Sequence, residues 1–138
     1  MILKSDDVFL LGSICMTSII MGHSEQSVPI FKLVKELQPN NAGGFMMHAL
    51  YLYTTGKDEE AIEIMQEAIS MDAEANHEEA LGFHLFLLYH SGNFEDSYDL
   101  AEIYIREQLV SSPVPRGIVE DIFRSTSDIL GYPADALA

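Results

Sequence analysis

The residues of this chain able to do chemistry are five histidines, one cysteine and a dense group of carboxylates. A catalytic or structural zinc needs ligands that return to one face, as in H-E-x-x-H, where two imidazoles one helical turn apart share the metal and the glutamate serves as base. Here His77 is followed directly by Glu78 and Glu79, and His84 and His90 stand six residues apart. No cysteine pair and no Asp-rich loop completes such a set, so no metal site is expected. Nucleophile motifs of the G-x-S-x-G kind and phosphate-cradling glycine loops are also missing. The one glycine-rich stretch, Asn41-Ala42-Gly43-Gly44, reads as a helix start capped by Asn41. The sequence therefore predicts a non-enzymatic protein that uses no cofactor.

Nine carboxylates lie between residues 57 and 79 against Lys57 alone. Within them Asp58, Glu59, Glu60, Glu63 and Glu67 form an acidic helix face. It is either a solvated surface or a docking surface for basic residues of a partner. Asp58 is the expected cap of that helix, and acids in its first turn suit the positive end of the helix dipole. Over the whole chain 22 Asp and Glu oppose 7 Lys and Arg, a net charge of −15. That charge gives no footing for a phosphate backbone and excludes nucleic acid as a partner. Cys15 is alone in an apolar run, which predicts a buried, inert thiol and a reducing, cytoplasmic setting. The run Val8–Met21 is 14 residues long, too short to span a bilayer. Lys4 is followed by Asp6 and Asp7, which does not suit a secretory leader. Neither membrane insertion nor a leader is expected.

The elements that must carry these residues are helices. Apolar residues recur at helical spacing in blocks at about 5–21, 27–38, 42–55, 58–71, 77–91, 94–110 and 115–130, and no block alternates with the period of a strand. The clearest is the 58–71 block, with Ala61, Ile62, Ile64, Met65, Ala68 and Ile69 on one side and glutamates on the other. Ser27 and Pro29 mark the start of the second block, and Pro115 that of the seventh. The tail beyond Gly131 is expected to fray.

Gly22, Gly56 and Gly92 follow the first, third and fifth blocks at intervals of 34 and 36 residues. A period near 34 with two helices per unit is a repeat spacing in which each helix pair buries its apolar face only against its neighbours. The middle unit has Phe45 and Ala49 in its first helix, Gly56 in the turn, and Ala61, Met65 and Ala68 in its second. The first ends in Leu37-Gln38-Pro39-Asn40-Asn41, and the third keeps Gly92, Phe94, Ser97 and Ala101. In these residues the chain resembles the tetratricopeptide repeat family over roughly residues 5–110. It departs from the pattern at Ala73, where a proline would close the second unit, and in the longer third unit. The resemblance implies an all-α, single-domain α-solenoid of about three helical hairpins, at 5–39, 42–73 and 77–110, sealed by a capping helix at 115–130.

In that family the first helix of each pair lines a concave face. The resemblance places Phe9, Gly12, Met16, Ile19 and Ile20, then Met46, Leu50 and Tyr53, then Gly82, Phe86, Tyr89 and His90 on it. A groove rich in Met and aromatic side chains adapts to the apolar side of an amphipathic helix. The same side chains would instead be plain core if the seventh helix covers them. The cluster of Lys, Arg and Asn with which some members clamp a peptide carboxylate is replaced by Gly12, Met16, Met47, Glu79 and Phe83, so that mode of chaperone docking is not expected. In size, acidity and repeat number the chain is similar to the small chaperones of bacterial type III secretion systems, above all the needle-subunit group. That likeness implies a bacterial cytoplasmic chaperone that sequesters an amphipathic helix of an export substrate, with a small helical co-chaperone, as a hetero-oligomer or homodimer. The alternative is a general repeat adaptor or scaffold in a multiprotein complex.

Overall fold

The periodic blocks fold as helices with most ends within two residues of the expected positions. The computed structural model describes residues 2–138, and among them are seven α-helices. These are α1 (Ser5–Ile20), α2 (Val28–Leu37), α3 (Gly43–Thr54), α4 (Asp58–Ser70), α5 (His77–His90), α6 (Phe94–Arg106) and α7 (Pro113–Leu130). One-turn 3-10 helices precede α2 (Ser24–Ser27) and end the chain (Asp135–Leu137). No strand occurs among the described residues, as the all-α reading requires; the sole extended pairing is one bridge between Asn41 and Ala75. The molecule divides into two compact units, Met1–Ala80 and Leu81–Ala138.

Three helices stop in the same way. Gly22, Gly56 and Gly92 have φ of 81°, 82° and 82°. In each case the next residue donates its N–H back five residues, His23 to Ser18 at 2.7 Å, Lys57 to Leu52 at 2.8 Å and Asn93 to Leu88 at 2.9 Å. This double-bonded left-handed ending satisfies carbonyls that a helix end leaves open and turns the chain back within one residue. An added Cβ would meet nothing within 4 Å at any of the three, so it is the backbone angle that calls for glycine.

Burial follows the same register. Stepping by 34 and then 36 residues, the second helix of each pair buries Ser27, Phe31 and Val34, then Ala61, Met65 and Ala68, then Ser97, Ala101 and Tyr104. The first helices bury Cys15, Ala49 and Leu85 at one shared position. Cys15 thus fills the slot of a core alanine, and burial pushes its thiol pKa up.

In the first unit, Val8, Cys15, Phe31, Val34 and Met47 form a core against which Leu11, Ile19, Val28, Ile30 and Tyr51 pack. The loop before α3 is tied to the loop after α4: Ala42 N–H donates to Ala75 at 3.0 Å, and the Asn76 amide donates to Asn41 Oδ1 at 2.8 Å. Asn41 Oδ1 also accepts from the Gly43 N–H at 2.8 Å, so Asn41 does cap α3, one residue outside its N-cap Ala42. Asp58 does not cap α4. Lys57 holds the N-cap position with no side-chain bond, leaving Asp58 as the first helical residue, where its charge still meets the helix dipole.

In the second unit, α6 and α7 pack around the fully buried Phe123, whose ring stacks on Tyr98 at 5.1 Å. α6 ends at Arg106, earlier than expected, and α7 begins at Pro113 rather than Pro115. Pro115 is instead buried against α5, where a Cβ on Gly82 would come within 3.3 Å of its ring. The tail does not fray in this structure. Tyr98 donates to the Pro133 carbonyl at 2.7 Å, Ser127 to Tyr132 at 2.8 Å and Tyr132 to Glu95 at 2.7 Å, because Gly131 in a left-handed turn folds the chain back onto α6.

Gly56→Ala keeps the fold but must hold an alanine at φ near 82°. We expect a loss of about 1 kcal/mol in urea unfolding with unchanged helical circular dichroism.

Candidate protein-binding face

α1 carries apolar side chains on more than one flank, and its neighbours fix which of them are covered. A Cβ on Gly43 would lie 3.6 Å from Val8, and one on Gly12 would lie 3.3 Å from Met47, so α1 and α3 run side by side in the same direction. The Ser27 side chain hydrogen-bonds to Cys15, so the flank of α1 carrying Cys15 and Leu11 faces the Ser24–Ser27 turn and α2. Phe9, Met16 and Ile20, at spacings of seven and four, lie on the opposite flank. Phe9 is 79% and Ile20 75% exposed, and Met16 is also exposed. Ile19 instead packs against the first-unit core.

α3 is oriented by α2. His48 stacks on Phe31 with ring centroids 4.5 Å apart, Tyr51 meets Phe31 at 5.8 Å, and Lys35 reaches both His48 and the Phe45 ring. Those contacts turn Met46, Leu50 and Tyr53 to the other side of α3, where they are half-buried. Phe9, Met16, Ile20, Met46, Leu50 and Tyr53 therefore occupy one side of the α1–α3 pair, the side away from α2.

The three candidates on α5 belong to the second unit. Tyr89 is fixed there, its hydroxyl 2.6 Å from that of Ser125 on α7 and its ring edge-on to Phe94 at 5.6 Å. With Gly82 against Pro115, these two positions lie under α7, as the covered-core alternative requires. Phe86 is half-buried with its ring 4.2 Å from that of His90, which is exposed. On α4, Glu59, Glu60, Glu63 and Glu67 are exposed and Asp58 partly so, opposite the buried Ala61, Met65 and Ala68.

The Lys35–His48 contact was not legible beforehand, since thirteen residues separate the two and no motif links them. Lys35 Nζ donates to His48 Nδ1 at 3.2 Å, which leaves the imidazole neutral with its proton on Nε2. Burial, then the Lys35 charge, holds the His48 pKa below its ordinary value. Burial likewise lowers that of Lys35, partly offset by Glu67. His84 sits at the His48 position one repeat on, and both its ring nitrogens are buried without a hydrogen-bond partner among the described residues. Burial lowers its pKa as well. Among the described residues no three His, Cys, Asp or Glu side chains come together as a metal site, and no helix is long and apolar enough to cross a membrane.

These features define a class, an all-α protein built of antiparallel helix pairs in register. Residues 42–74, which span α3, the Gly56 turn and α4, match the tetratricopeptide repeat family. No curated protein and no solved structure matches the chain.

Both histidines have folded pKa values below the ordinary 6.5, so the unfolded chain takes up their protons first. Their contribution to stability is complete above about pH 6.5 and is lost as pH falls toward the lowered values. The thermal midpoint should drop on going from about pH 7.5 to 5.5. His84→Leu should flatten that limb without lowering the midpoint at the higher pH.

Proposed function

We propose that the first unit binds an amphipathic helix of another protein along the side of the α1–α3 pair carrying Phe9, Met16, Ile20, Met46, Leu50 and Tyr53. The observation that carries this reading is the exposure of Phe9 and Ile20 beside Met16, a stripe of large apolar side chains lying next to a second apolar row on a parallel helix. Two parallel helices leave a shallow trough between them, and an incoming helix fills such a trough with residues spaced three and four apart. Met16 and Met46 add side chains that re-pack around an irregular partner.

The 42–74 match supports a protein-interaction role, since repeats of this type serve as interaction scaffolds rather than catalysts. Within that role we favour a chaperone that sequesters the helix of a secretion-apparatus subunit or export substrate and keeps it from assembling early. Small size, acidity and three helix pairs in register support it. Acids on α4, including Glu59, Glu60 and Glu63, would draw in a partner with basic residues and raise its on-rate.

The test compares proteins captured from the source cell extract by the wild-type chain and by Phe9→Asp and Ile20→Asp, two exposed positions whose change leaves the helices intact. A helical protein held in stoichiometric yield by wild type, and bound at least about tenfold more weakly by both variants in titration, is the expected outcome. Equal capture by all three would sink the α1–α3 site. A small subunit encoded among secretion genes favours the chaperone, whereas a large stable assembly favours a general adaptor. Reversing Glu59, Glu60 and Glu63 to Lys should slow association and reduce its dependence on salt, while the dissociation rate stays nearly constant.

A further inference from the structure

The contact between Lys35 and His48 takes no part in the partner site proposed above and lies on the other, α2-facing side of α3. Both side chains are held by packing. A Cβ on Gly44 would lie 2.8 Å from Lys35 Cγ, so the lysine stem rests against the first turn of α3, and its Nζ stands 4.5 Å from the centre of the Phe45 ring. His48 is fixed by its ring, which lies within 9° of parallel to that of Phe31 with centroids 4.5 Å apart. The two half-buried groups meet with Nζ 3.2 Å from Nδ1. Repeat packing does not require the pair: one repeat on, the positions of Lys35 and His48 hold Ile69 and His84.

Such a pair has the parts of an amine nucleophile and its base. Of the lysines in the chain, Lys4, Lys32 and Lys57 are exposed. In water a lysine amine is nearly all ammonium at neutral pH and has no lone pair to offer. At Lys35 burial disfavours the ammonium, and the Glu67 charge opposes that shift. The charges acting at His48 are those of Lys35, Glu67, Lys32 and Glu60. Burial first, and then the Lys35 charge, keeps its imidazole neutral, so Nδ1 stays open to a proton. Desolvation and an adjacent base are two means by which proteins activate a nucleophile of this kind.

We propose that Lys35 is a modification site, its amine taking an acyl group directly from an acyl phosphate with His48 as general base. The neutral amine attacks the carbonyl carbon and forms the C–N bond. An N–H proton of the tetrahedral adduct passes to His48 Nδ1 and on to the departing oxygen as the C–O bond to phosphate breaks. Amine and acyl phosphate thus give amide and hydrogen phosphate, and nothing is oxidised or reduced. Lys32, one turn earlier on α2, supplies a cation for the phosphate, and its charge already acts at His48. In a chain of net charge −15 these two lysines are the cations closest together in sequence. The amide product keeps one N–H to donate to Nδ1, so the contact between α2 and α3 survives the modification.

The test incubates the full chain with acetyl phosphate near neutral pH and follows acetylation of each lysine by peptide mass spectrometry, with circular dichroism as the folding control. Lys35 should react at least about fivefold faster than Lys4, Lys32 or Lys57 despite its burial. His48→Phe, which keeps a ring to stack on Phe31, should cut the Lys35 rate at least about fivefold and leave the other three lysines unchanged. Glu67 is exposed, and Glu67→Gln removes a charge that favours the ammonium, so Lys35 should react faster in that variant. Acetylation also removes the Lys35 charge that helps hold the His48 pKa down, so the His48 ring protons should titrate at higher pH in the acetylated protein. A Lys35 rate no greater than that of Lys32 would overturn the proposal. An undiminished Lys35 rate in folded His48→Phe would overturn the role of His48 as base. Should that variant not fold, Glu67→Gln decides, since a Lys35 rate unchanged by it would overturn the activated amine.

Discussion

A helix pair can share an apolar interface only if the chain reverses direction within a few residues, and this molecule meets that requirement with one device used three times. At Gly22, Gly56 and Gly92 the backbone enters the left-handed region with nearly the same angle, and the following N–H bonds back five residues. Everything else follows from the reversal. Once the second helix starts at a fixed distance after the glycine, the positions that face its partner are fixed too, which is why Ser27, Ala61 and Ser97 are all fully buried. Small side chains there let two backbones approach closely, and a larger one would force the pair apart.

The longer step, 36 residues instead of 34, has to be absorbed where the register is free. Gly56 and Gly92 end their helices identically, and the buried positions of the second helices keep their spacing. Most of the extra length falls in α5, which has 14 residues against 12 in α3, and the rest in the connection between α4 and α5. That connection holds Asp72 and Asn76, both at positive φ, of 51° and 62°. Asn76 also donates to Asn41, so the irregular loop is still pinned to the start of α3.

Much of this was legible in the sequence because the signals were local and repeated. Glycine spacing, helical periodicity and small residues at matching positions each reported on one turn or one face, and the helices formed close to where they were expected. The site was legible only in part. Phe9, Met16 and Ile20 could be assigned to one flank by helical spacing, but Ile19 shares the core and Tyr89 lies under α7. Both are apolar or aromatic residues at groove-like spacing, and only the packing of neighbouring helices separates the two fates. The Lys35–His48 contact was missed because its partners are brought together only by the stacking of α3 on α2. The tail was misread because its anchors, Tyr98 and Ser127, are ordinary helix residues whose hydrogen bonds depend on the turn at Gly131.

The near-neighbour pattern of contacts also bears on how the chain acquires its structure as it is made. Every packing contact described here joins elements close in sequence, the arrangement that folds fastest. α1, however, finds the first cover for its apolar side chains in the Ser24–Ser27 turn and α2, and the second in α3 near Met47. At roughly 5–20 residues per second of synthesis, the interval between completing α1 and completing α3 is on the order of a few seconds. During that time α1 presents apolar side chains that α3 later covers, and the carboxylate-rich stretch of this sequence follows only from Asp58 onward.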